Sequence, residues 1–487
     1  MLLLMASASS VIVWFRNDLR LSDHAALAAA AGTGAPLICL FILDEAAAQS
    51  ARRPLGAAAK WWLANSLRTL DRELRKRGQR LILRRGDTAT ILVQIAQEAK
   101  AKAVFWLDSE IPAEAACARQ VITALHEIGV ETHISRSDLL ASPSAIRNKE
   151  GHGLRVFTRF WKRVRALGDP PHPLPAMKKL PPSVASVESE SIEDWQLKPL
   201  HPDWASGLRA RWTPGEAGAR KKLDAFLDDA VDGYASRRDD LARDQTSHLS
   251  AHLRFGEISP RQVFHATRFT AERNPALSRD VEKFLSELGW REFCRHLLFD
   301  QPDLHRQDLQ HSFDNFPWRT DHAALRAWQQ GRTGYPIVDA GMRELWHTGT
   351  MHNRVRMVAA SFLVKHLLID WREGERWFWD TLVDADPGSN PGNWQWVAGC
   401  GADAAPYFRI FNPVLQGEKF DPDGVYVMKW VPELAKLPPK LIHQPWEATP
   451  MELAAAGITL GKTYPAPIVD HKAARERALT AYRKTRS

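Results

Sequence analysis

Short apolar runs of strand length recur through the first 135 residues, and each is followed by a stretch with helical periodicity. The strand-like runs are residues 11–15, Leu37–Leu43, 81–83 and 104–107. The stretch that begins at Trp61 is typical of an amphipathic helix, and Ser22 and Asp23 offer caps for an earlier, Ala-rich helix. This alternation predicts an α/β domain over residues 1–135, with a doubly wound parallel sheet and helices on both faces.

A change of composition separates this part from the rest of the chain. Residues 168–206 contain the runs GDPPHPLP, LPPS and VESESIED, which are rich in proline or in serine and acidic residues. Such runs are typical of chain that crosses between domains, so we predict an interdomain linker over residues 136–214. The pattern beyond it is mostly helical, which predicts an all-α domain over residues 215–487.

Composition narrows the classes of function. The chain has 65 Lys plus Arg against 57 Asp plus Glu, and the net charge of +8 suits a polyanionic partner or simply a soluble basic protein. The four cysteines form no CxxC pair, so neither a disulfide framework nor a metal site is predicted. The start, MLLLMASASS, is too short to span a membrane and lacks a basic n-region, so we expect a cytoplasmic protein. The 19 tryptophans fit large cores, base stacking or electron transfer, and composition does not choose among these.

Two stretches of the helical half carry polar groups suited to a ligand. Thr246, Ser247 and Ser250 place three hydroxyls just before a helical pattern, where hydroxyl and N–H groups can hold a phosphate. An ordinary helix cap is the alternative. Glu287 and Trp290 share one helical face and can present a hydrogen-bonding group beside a stacking ring. An amphipathic helix with a core tryptophan is the alternative there.

A third stretch combines polar and apolar side chains on one helical face. Asn353, Arg356 and Met357 share that face, which suits a ligand with both polar and apolar parts. Arg354 points away from it and can reach a phosphate. A solvated helix edge with one core methionine is the alternative.

The fourth stretch is rich in tryptophan. Asn390 and Trp394 share a helical face, whereas Trp396 points to the opposite side. One ring would then meet a cofactor and the other a different cavity. The alternative is a pair of core tryptophans.

Taken together, these stretches resemble the photolyase/cryptochrome family along nearly the whole chain, from VIVWFRNDLRLSD near the start to PIVDHKAARERAL near the end. The strongest segments are TGYPIVDAGMR, MHNRVRM, LLIDWREGE and GADAAPYFRIFNPVLQGEKFD. The resemblance implies an α/β antenna domain followed by a helical domain that holds FAD in a bent form. It also implies a DNA partner with a pyrimidine dimer that is flipped out of the duplex. We expect a monomer that associates with the nucleoid when it is bound to DNA.

The resemblance carries functional roles to individual positions of this chain. The positions that match the FAD site are Tyr234, Thr246, Ser247, His248, Leu249, Ser250, Arg356, Asp384, Ala385, Asp386 and Asn390. Those that match the site of DNA and its lesion are Arg238, Glu287, Trp290, Asn353, Arg354, Met357 and Trp396. Trp394, Trp371 and Trp318 match the family's electron path from flavin to surface. Glu287 is expected to share a hydrogen bond with a thymine carbonyl in catalysis, and donation would require a buried, protonated carboxyl.

Single positions indicate the subtype. Relatives that act on (6–4) photoproducts carry histidine where this chain has Asn353 and Met357, which favours cyclobutane dimers as the substrate. Plant cryptochromes tend to have Asp at the Asn390 position and animal ones Cys, which favours repair over a cryptochrome-like blue-light sensor. The motifs KWWLANSL and DADPGSNPGNWQW are similar to bacterial class III photolyases.

Two features depart from the family pattern or leave a choice open. His248 replaces the arginine of a TSRLS motif, so FAD would bind more weakly, or with pH dependence if His248 titrates. The Trp61-Trp62 helix and residues 108–110 lie where relatives hold a second chromophore. The class III similarity favours 5,10-methenyltetrahydrofolate as this antenna, with a deazaflavin or no antenna left open. Plain packing of the two tryptophans is the alternative to an antenna contact.

Overall fold

The N-terminal part of the chain folds around a five-stranded parallel sheet in the computed structural model, which describes residues 9–44, 53–199, 201–404 and 408–485. The strands are β1 (Ser10–Phe15), β2 (Leu37–Leu43), β3 (Leu81–Arg85), β4 (Ala101–Leu107) and β5 (Glu131–Ser135). They pair in the order β3-β2-β1-β4-β5, and every pair is parallel. All residues of β1 and β2 are buried, because strands covered on both faces become continuous apolar runs.

Helices cover both faces of this sheet. The pair α1 (Ala25–Gly32) and α2 (Ala57–Arg75) packs on one face, and α3 (Thr88–Glu98) and α4 (Pro112–Glu127) pack on the other. The predicted doubly wound α/β fold is therefore confirmed. Trp61 and Trp62 of α2 are both buried, and the Trp62 indole donates to the Glu257 carboxylate at 3.0 Å. That contact packs α2 against the helical half of the chain.

The segment 136–214 contacts both halves along its course. It contains α5 (Phe157–Ala166) and α6 (Ser206–Arg211). Phe160 of α5 packs against Phe293 of the helical half, with ring centroids 5.3 Å apart. Trp195 packs instead against Phe41 of β2, with centroids 6.2 Å apart.

Helices make up the second half, as predicted. They are α7 (Glu216–Ala225), α8 (Tyr234–Arg237), α9 (Ser250–Arg254), α10 (Pro260–Arg273), α11 (Ser278–Asp300), α12 (His322–Gln329), α13 (Pro336–Thr348), α14 (Asn353–Ser361), α15 (Trp371–Thr381), α16 (Ser389–Ala398), α17 (Pro413–Phe420), α18 (Val425–Trp430), α19 (Pro439–Ile442), α20 (Pro450–Ala456) and α21 (His471–Lys484). The described residues 215–404 and 408–485 contain no β-strand. Across the described ranges, no helix combines the length and apolar character needed to cross a bilayer.

Buried charged groups join the two halves. Arg20, just after β1, is fully buried, and its guanidinium donates to both carboxylate oxygens of Asp138, at 2.6 and 2.7 Å. It also donates to the backbone oxygen of Gly256 in the helical half, at 3.0 Å. Asp23 accepts from Arg261 of α10 at 3.0 Å. The RNDLRLSD segment is therefore an interdomain contact as well as a turn after the first strand.

We expect Arg20→Ala to lower the free energy of unfolding by about 3–5 kcal/mol, because it leaves Asp138 and buried carbonyl groups without their partner. Urea-induced unfolding followed by tryptophan fluorescence measures the change. Arg68→Ala is the control, since Arg68 pairs with Glu193 at an exposed site and its loss should cost less than about 1 kcal/mol. Equal losses in the two variants would contradict the role assigned to the buried pair.

Candidate functional site

A cavity of about 690 Å³ opens between the helices of the C-terminal half. This volume is in the range of cofactor and ligand sites. The cavity is lined by every position that the resemblance assigns to FAD or to the DNA and its lesion, and by Trp394 of the predicted electron path: Tyr234, Arg238, Thr246, Ser247, His248, Leu249, Ser250, Glu287, Trp290, Asn353, Arg354, Arg356, Met357, Asp384, Ala385, Asp386, Asn390, Trp394 and Trp396. The fold thus brings the four stretches together around one space.

One end of the cavity carries hydroxyls and a fixed positive charge. Thr246, Ser247 and Ser250 line it just before and at the start of α9. His248, whose backbone has a left-handed φ of 52°, hydrogen-bonds to Asp244 and lies 3.0 Å from Nη2 of Arg211. Burial lowers the pKa of His248, although Asp244 opposes this. At about pH 7 His248 is therefore neutral, and Arg211 supplies the positive charge that the TSRLS arginine would have given.

No motif pointed to Arg211 beforehand. It ends α6, inside the segment predicted as a linker, and reaches the cavity only through the tertiary fold. Its one sequence signal is its place directly before the run WTPGE. Hydroxyl groups together with a guanidinium form a donor set that fits a pyrophosphate.

The opposite side of the cavity holds an ion pair. Nη2 of Arg356 on α14 lies 3.0 Å from Oδ2 of Asp384, whose side chain is almost fully buried. Nε of Arg356 donates to the backbone oxygen of Met351 at 2.7 Å. These contacts fix the guanidinium at the cavity wall with its charge balanced.

The loop that follows Asp384 is held by two buried arginines. Nε of Arg254 donates to the backbone oxygen of Ala385 at 2.9 Å, and Nη2 of Arg295 lies 2.6 Å from Oδ2 of Asp386. Burial alone would raise the pKa of Asp386, but the neighbouring arginines, chiefly Arg295, bring it to about 2. Asp386 is therefore ionised, and the loop is held by charge on one side and by hydrogen bonding on the other. Both arginines lie inside the stretches that the sequence singled out, but neither was assigned a role there.

Asn390 has a fixed orientation because its amide nitrogen is occupied. Nδ2 donates to Oε1 of the buried Glu375 at 2.7 Å and to its backbone oxygen at 3.0 Å. Glu375 in turn pairs with Arg53 at 2.6 Å. This assignment leaves Oδ1 of Asn390 as the atom available for accepting a hydrogen bond from a ligand.

Glu287 does not have the buried, uncharged setting expected from the sequence. Its side chain is 26% exposed, and its carboxylate pairs with Arg238 and, at 2.8 Å, with Lys283. Lys283 lies one helical turn before it on α11, so this pair was visible in the sequence as an i, i+4 contact. With Arg238 and Lys283 as its partners, the carboxylate of Glu287 acts as a hydrogen-bond acceptor.

Aromatic rings line the same end as Glu287. The Trp290 ring is stacked on Phe157, with centroids 3.8 Å apart and an interplanar angle of 8°. Trp396 is held by its indole, which donates to the backbone oxygen of Asp403 at 2.9 Å. Trp394 and Trp396, which were expected to face opposite sides of their helix, both line this cavity.

Arg354 is held at the cavity wall by two contacts. It pairs with Asp239 at 2.5 Å, and its guanidinium lies 4.4 Å from the centroid of the Phe420 ring. The sulfur of Met357 is 4.0 Å from Nη1 of Arg354 and from Nδ2 of Asn353. On α14, Met357 is thus in contact with both Asn353 and Arg354.

Two of the three predicted electron-path tryptophans, Trp371 and Trp318, do not line the cavity, whereas Trp394 does. Trp394 is buried against α15 at Gly374, where a Cβ would collide with its ring, and Trp371 is one turn earlier on that helix. The backbone N–H of Arg319 donates to Leu368 at 2.7 Å, which places the half-buried Trp318 beside the start of α15. Trp394 thus lines the cavity, Trp371 is fully buried, and Trp318 is half-buried, and the electron path through them stays a prediction.

Comparison with protein families identifies both halves of the chain. The family described as DNA photolyase matches residues 11–179, and the family described as FAD binding domain of DNA photolyase matches residues 284–484. The deoxyribodipyrimidine photo-lyase of Agrobacterium fabrum is 51% identical over 97% of each chain. Cryptochrome-1 of Arabidopsis thaliana is 39% identical over 95% of this chain and 68% of that protein.

Solved structures give the same result. The crystal structure of a bacterial class III photolyase from Agrobacterium tumefaciens superposes with a TM-score of 0.95 at 50% identity, over 99% of each chain. Both the sheet and the helical half therefore have a counterpart at high identity.

We expect Arg211→Ala to weaken FAD binding about tenfold or more, because a charge-assisted hydrogen bond contributes roughly 1.5–3 kcal/mol. Calorimetric titration of the flavin-free protein with FAD measures this. Arg209→Ala is the matched control, since Arg209 lies on the same helix but pairs with Asp203 on the surface. The affinity of the unmodified protein for FAD should stay nearly constant from about pH 7 to 8, because the lowered pKa of His248 favours the neutral imidazole in that range. Equal affinities of the two variants would contradict the role of Arg211.

Proposed function

Since this chain belongs to the photolyase/cryptochrome family and is a DNA photolyase, we propose that it holds FAD in the described cavity and repairs cyclobutane pyrimidine dimers in light. The proposal depends chiefly on one observation. The Arg356–Asp384 pair and Asn390 share a single cavity with Glu287 and the stacking tryptophans, so a cofactor and a flipped pyrimidine dimer can meet there.

We propose that FAD lies with its phosphates at the Arg211 end and its ring system at the Asn390 side. Thr246, Ser247 and Ser250 would hold the phosphates and the sugar chain through their hydroxyls. When bound, FAD supplies the electron that opens the dimer and takes it back afterwards. Asn390 would accept a hydrogen bond through Oδ1, since Glu375 occupies its amide nitrogen.

The dimer side is built for stacking and for one directed hydrogen bond. Trp290 and Trp396 would stack on the flipped dimer, and Phe157 supports the Trp290 ring from its other face. The carboxylate of Glu287, which is paired with Arg238 and Lys283, would accept a hydrogen bond from a base N–H. Flipping a nucleotide costs a few kcal/mol, and less for a damaged base.

Arginines at the cavity mouth suit the DNA backbone. Arg238 and Arg354 line the cavity, and each pairs with an acidic side chain that a phosphate can replace. Such contacts position a duplex without reading its sequence. We propose that these two arginines orient the strand that carries the lesion.

A blue-light sensor is the second candidate, supported by the 39% identity with Cryptochrome-1 of Arabidopsis thaliana. Asn390 and Met357 favour repair over this role. Both functions would use the same FAD site, so the repair assay below discriminates between them.

We further propose a cytoplasmic monomer that meets its substrate on nucleoid DNA and carries methenyltetrahydrofolate as antenna. This choice rests on the similarity of the sequence motifs to bacterial class III photolyases. Trp61 and Trp62 are buried in packing, so they are not exposed rings on which an antenna can stack. The absorption spectrum of the purified protein distinguishes this folate from a deazaflavin or from FAD alone.

The purified protein, chemically reduced and bound to FAD, is expected to restore normal thymines in a thymine-dimer oligonucleotide under blue light and not in darkness. Light is required because the excited flavin gives the electron. Chromatography of the digested oligonucleotide measures the product. Absence of repair by protein that binds FAD and photoreduces it would favour the sensor.

Trp371→Phe is expected to abolish photoreduction of oxidised FAD, since phenylalanine is far harder to oxidise than tryptophan. Repair by the chemically reduced variant should persist, because the repair step needs no electron from the surface. Flavin absorption under continuous blue light with a thiol reductant measures the first, and the oligonucleotide assay the second. Loss of repair in the reduced variant would contradict the assigned role of Trp371.

A further inference from the structure

The middle tryptophan of the proposed electron path has a charged partner inside the protein. Trp371 is fully buried, and its indole N–H donates to Oδ1 of Asp308 at 2.8 Å. Asp308 is itself only 5% exposed. Burying a carboxylate is costly, and a neutral carbonyl also satisfies an indole, as Ala359 does for Trp328 at 2.9 Å. Hydrogen bonding alone therefore does not account for a carboxylate at this position.

A guanidinium lies over the same ring. Cζ of Arg372 is 4.6 Å from the centroid of the Trp371 ring, and its Nη2 is 2.8 Å from Oδ2 of Asp308. Arg372 also pairs with Asp370 at 3.1 Å. Asp308 thus contacts both the indole nitrogen and the positive charge above the ring, one with each carboxylate oxygen.

The loop that carries Asp308 is fixed by the helix that carries Trp394. Gln395 of α16 is fully buried, and its Nε2 donates to the backbone oxygens of Leu304 and Gln307 at 2.7 and 2.9 Å. Its Oε1 accepts from the N–H of Leu309 at 2.9 Å. The carboxylate is therefore held next to Trp371 by three hydrogen bonds that flank its own residue.

We propose that Asp308 offsets the charge of Arg372 at the Trp371 ring, so that Trp371 can give up an electron during photoreduction of the flavin. The inference rests on the proposed path through Trp394 and Trp318. Excited oxidised flavin is the oxidant that takes an electron from Trp394. Trp371 then gives one electron to the oxidised Trp394 and becomes a radical cation that keeps its N–H proton in the bond to Asp308.

Two further one-electron transfers restore the neutral tryptophans. Trp371 regains an electron from Trp318, and an external reductant such as a thiol refills Trp318. The guanidinium at 4.6 Å disfavours a positive charge on the indole, and Asp370 offsets it only from beside Arg372, whereas the carboxylate of Asp308, 2.8 Å from the indole nitrogen, favours that charge directly. Asp308 acts through Trp371 and is a positioning residue.

Asp308→Asn tests this, because asparagine keeps an oxygen that can accept from the indole while it removes the charge and the oxygen that accepts from Arg372. After a light flash on the protein with oxidised FAD, transient absorption measures the yield of long-lived tryptophan radical. We expect about a tenfold lower yield in Asp308→Asn. The double variant Asp308→Asn/Arg372→Gln should recover most of it, since the opposing charge is then gone as well. A purely structural role predicts no such recovery.

Asp370→Asn is the matched control, since Asp370 pairs with Arg372 but does not touch the indole. It should change the yield much less. The indole N–H resonance of Trp371, assigned with Trp371→Phe in ¹⁵N-tryptophan-labelled protein, should shift in Asp308→Asn and not in Asp370→Asn. This readout does not depend on flavin chemistry.

The outcomes separate the two proposals. If Trp371→Phe blocks photoreduction but Asp308→Asn gives the wild-type radical yield, the role of Asp308 is wrong and the electron path stands. A double variant no better than Asp308→Asn alone would also overturn it. If Trp371→Phe photoreduces like the wild type, the path itself is wrong, and the role of Asp308 falls with it.

Discussion

Compensation of buried guanidinium charge is the constraint on which this structure depends. Arg20, Arg254 and Arg295 are almost completely withdrawn from water, where an unpaired charge would cost several kcal/mol. Each of these arginines is therefore surrounded by oxygen atoms that accept its hydrogen bonds, and the positions of those oxygens are fixed by this requirement. Arg254 shows the effect most directly, since it donates to Asn17 after β1 at 2.8 Å and to the backbone of Ala385 at the cavity. The end of a strand in the α/β half thereby fixes a wall of the cavity in the other half.

The tryptophans for which composition left three uses open lie in three different surroundings. Trp62 and Trp328 fill cores, and each satisfies its indole N–H within the packing. Trp290 and Trp396 line the cavity with rings placed for stacking. Trp371 differs from both groups, because a carboxylate and a guanidinium set the charge around it. The environment of each ring, rather than the number of rings, separates these roles.

Local pattern was enough to predict the fold class, since fully buried strands are apolar along their length and the helices after them are periodic. Motifs were enough to place the cavity residues, because the chain brings long, specific segments together. Arg211, Arg254 and Glu375 were not predicted as site residues, since each acts through a contact across the fold, although Glu375 ends the LLIDWREGE segment. Glu287 was expected to be buried, but it pairs with Lys283 and Arg238. Lys283 lies one turn away on the same helix and was visible in the sequence, whereas Arg238 is distant in sequence and contacts Glu287 only through the tertiary fold.

The interlocked boundary limits how this molecule can be recombined. Asn17, Arg20 and Asp23 follow β1 and pair with groups of the second half or of the crossing segment. An α/β half taken from another protein would supply an equivalent sheet, but it would remove one partner each from Arg254 and Arg261 unless this short segment came with it. The unit of exchange in chimeras of such proteins is therefore the sheet together with the segment from Arg16 to Asp23 that follows its first strand, and a cassette cut at the linker alone would separate groups that fold together.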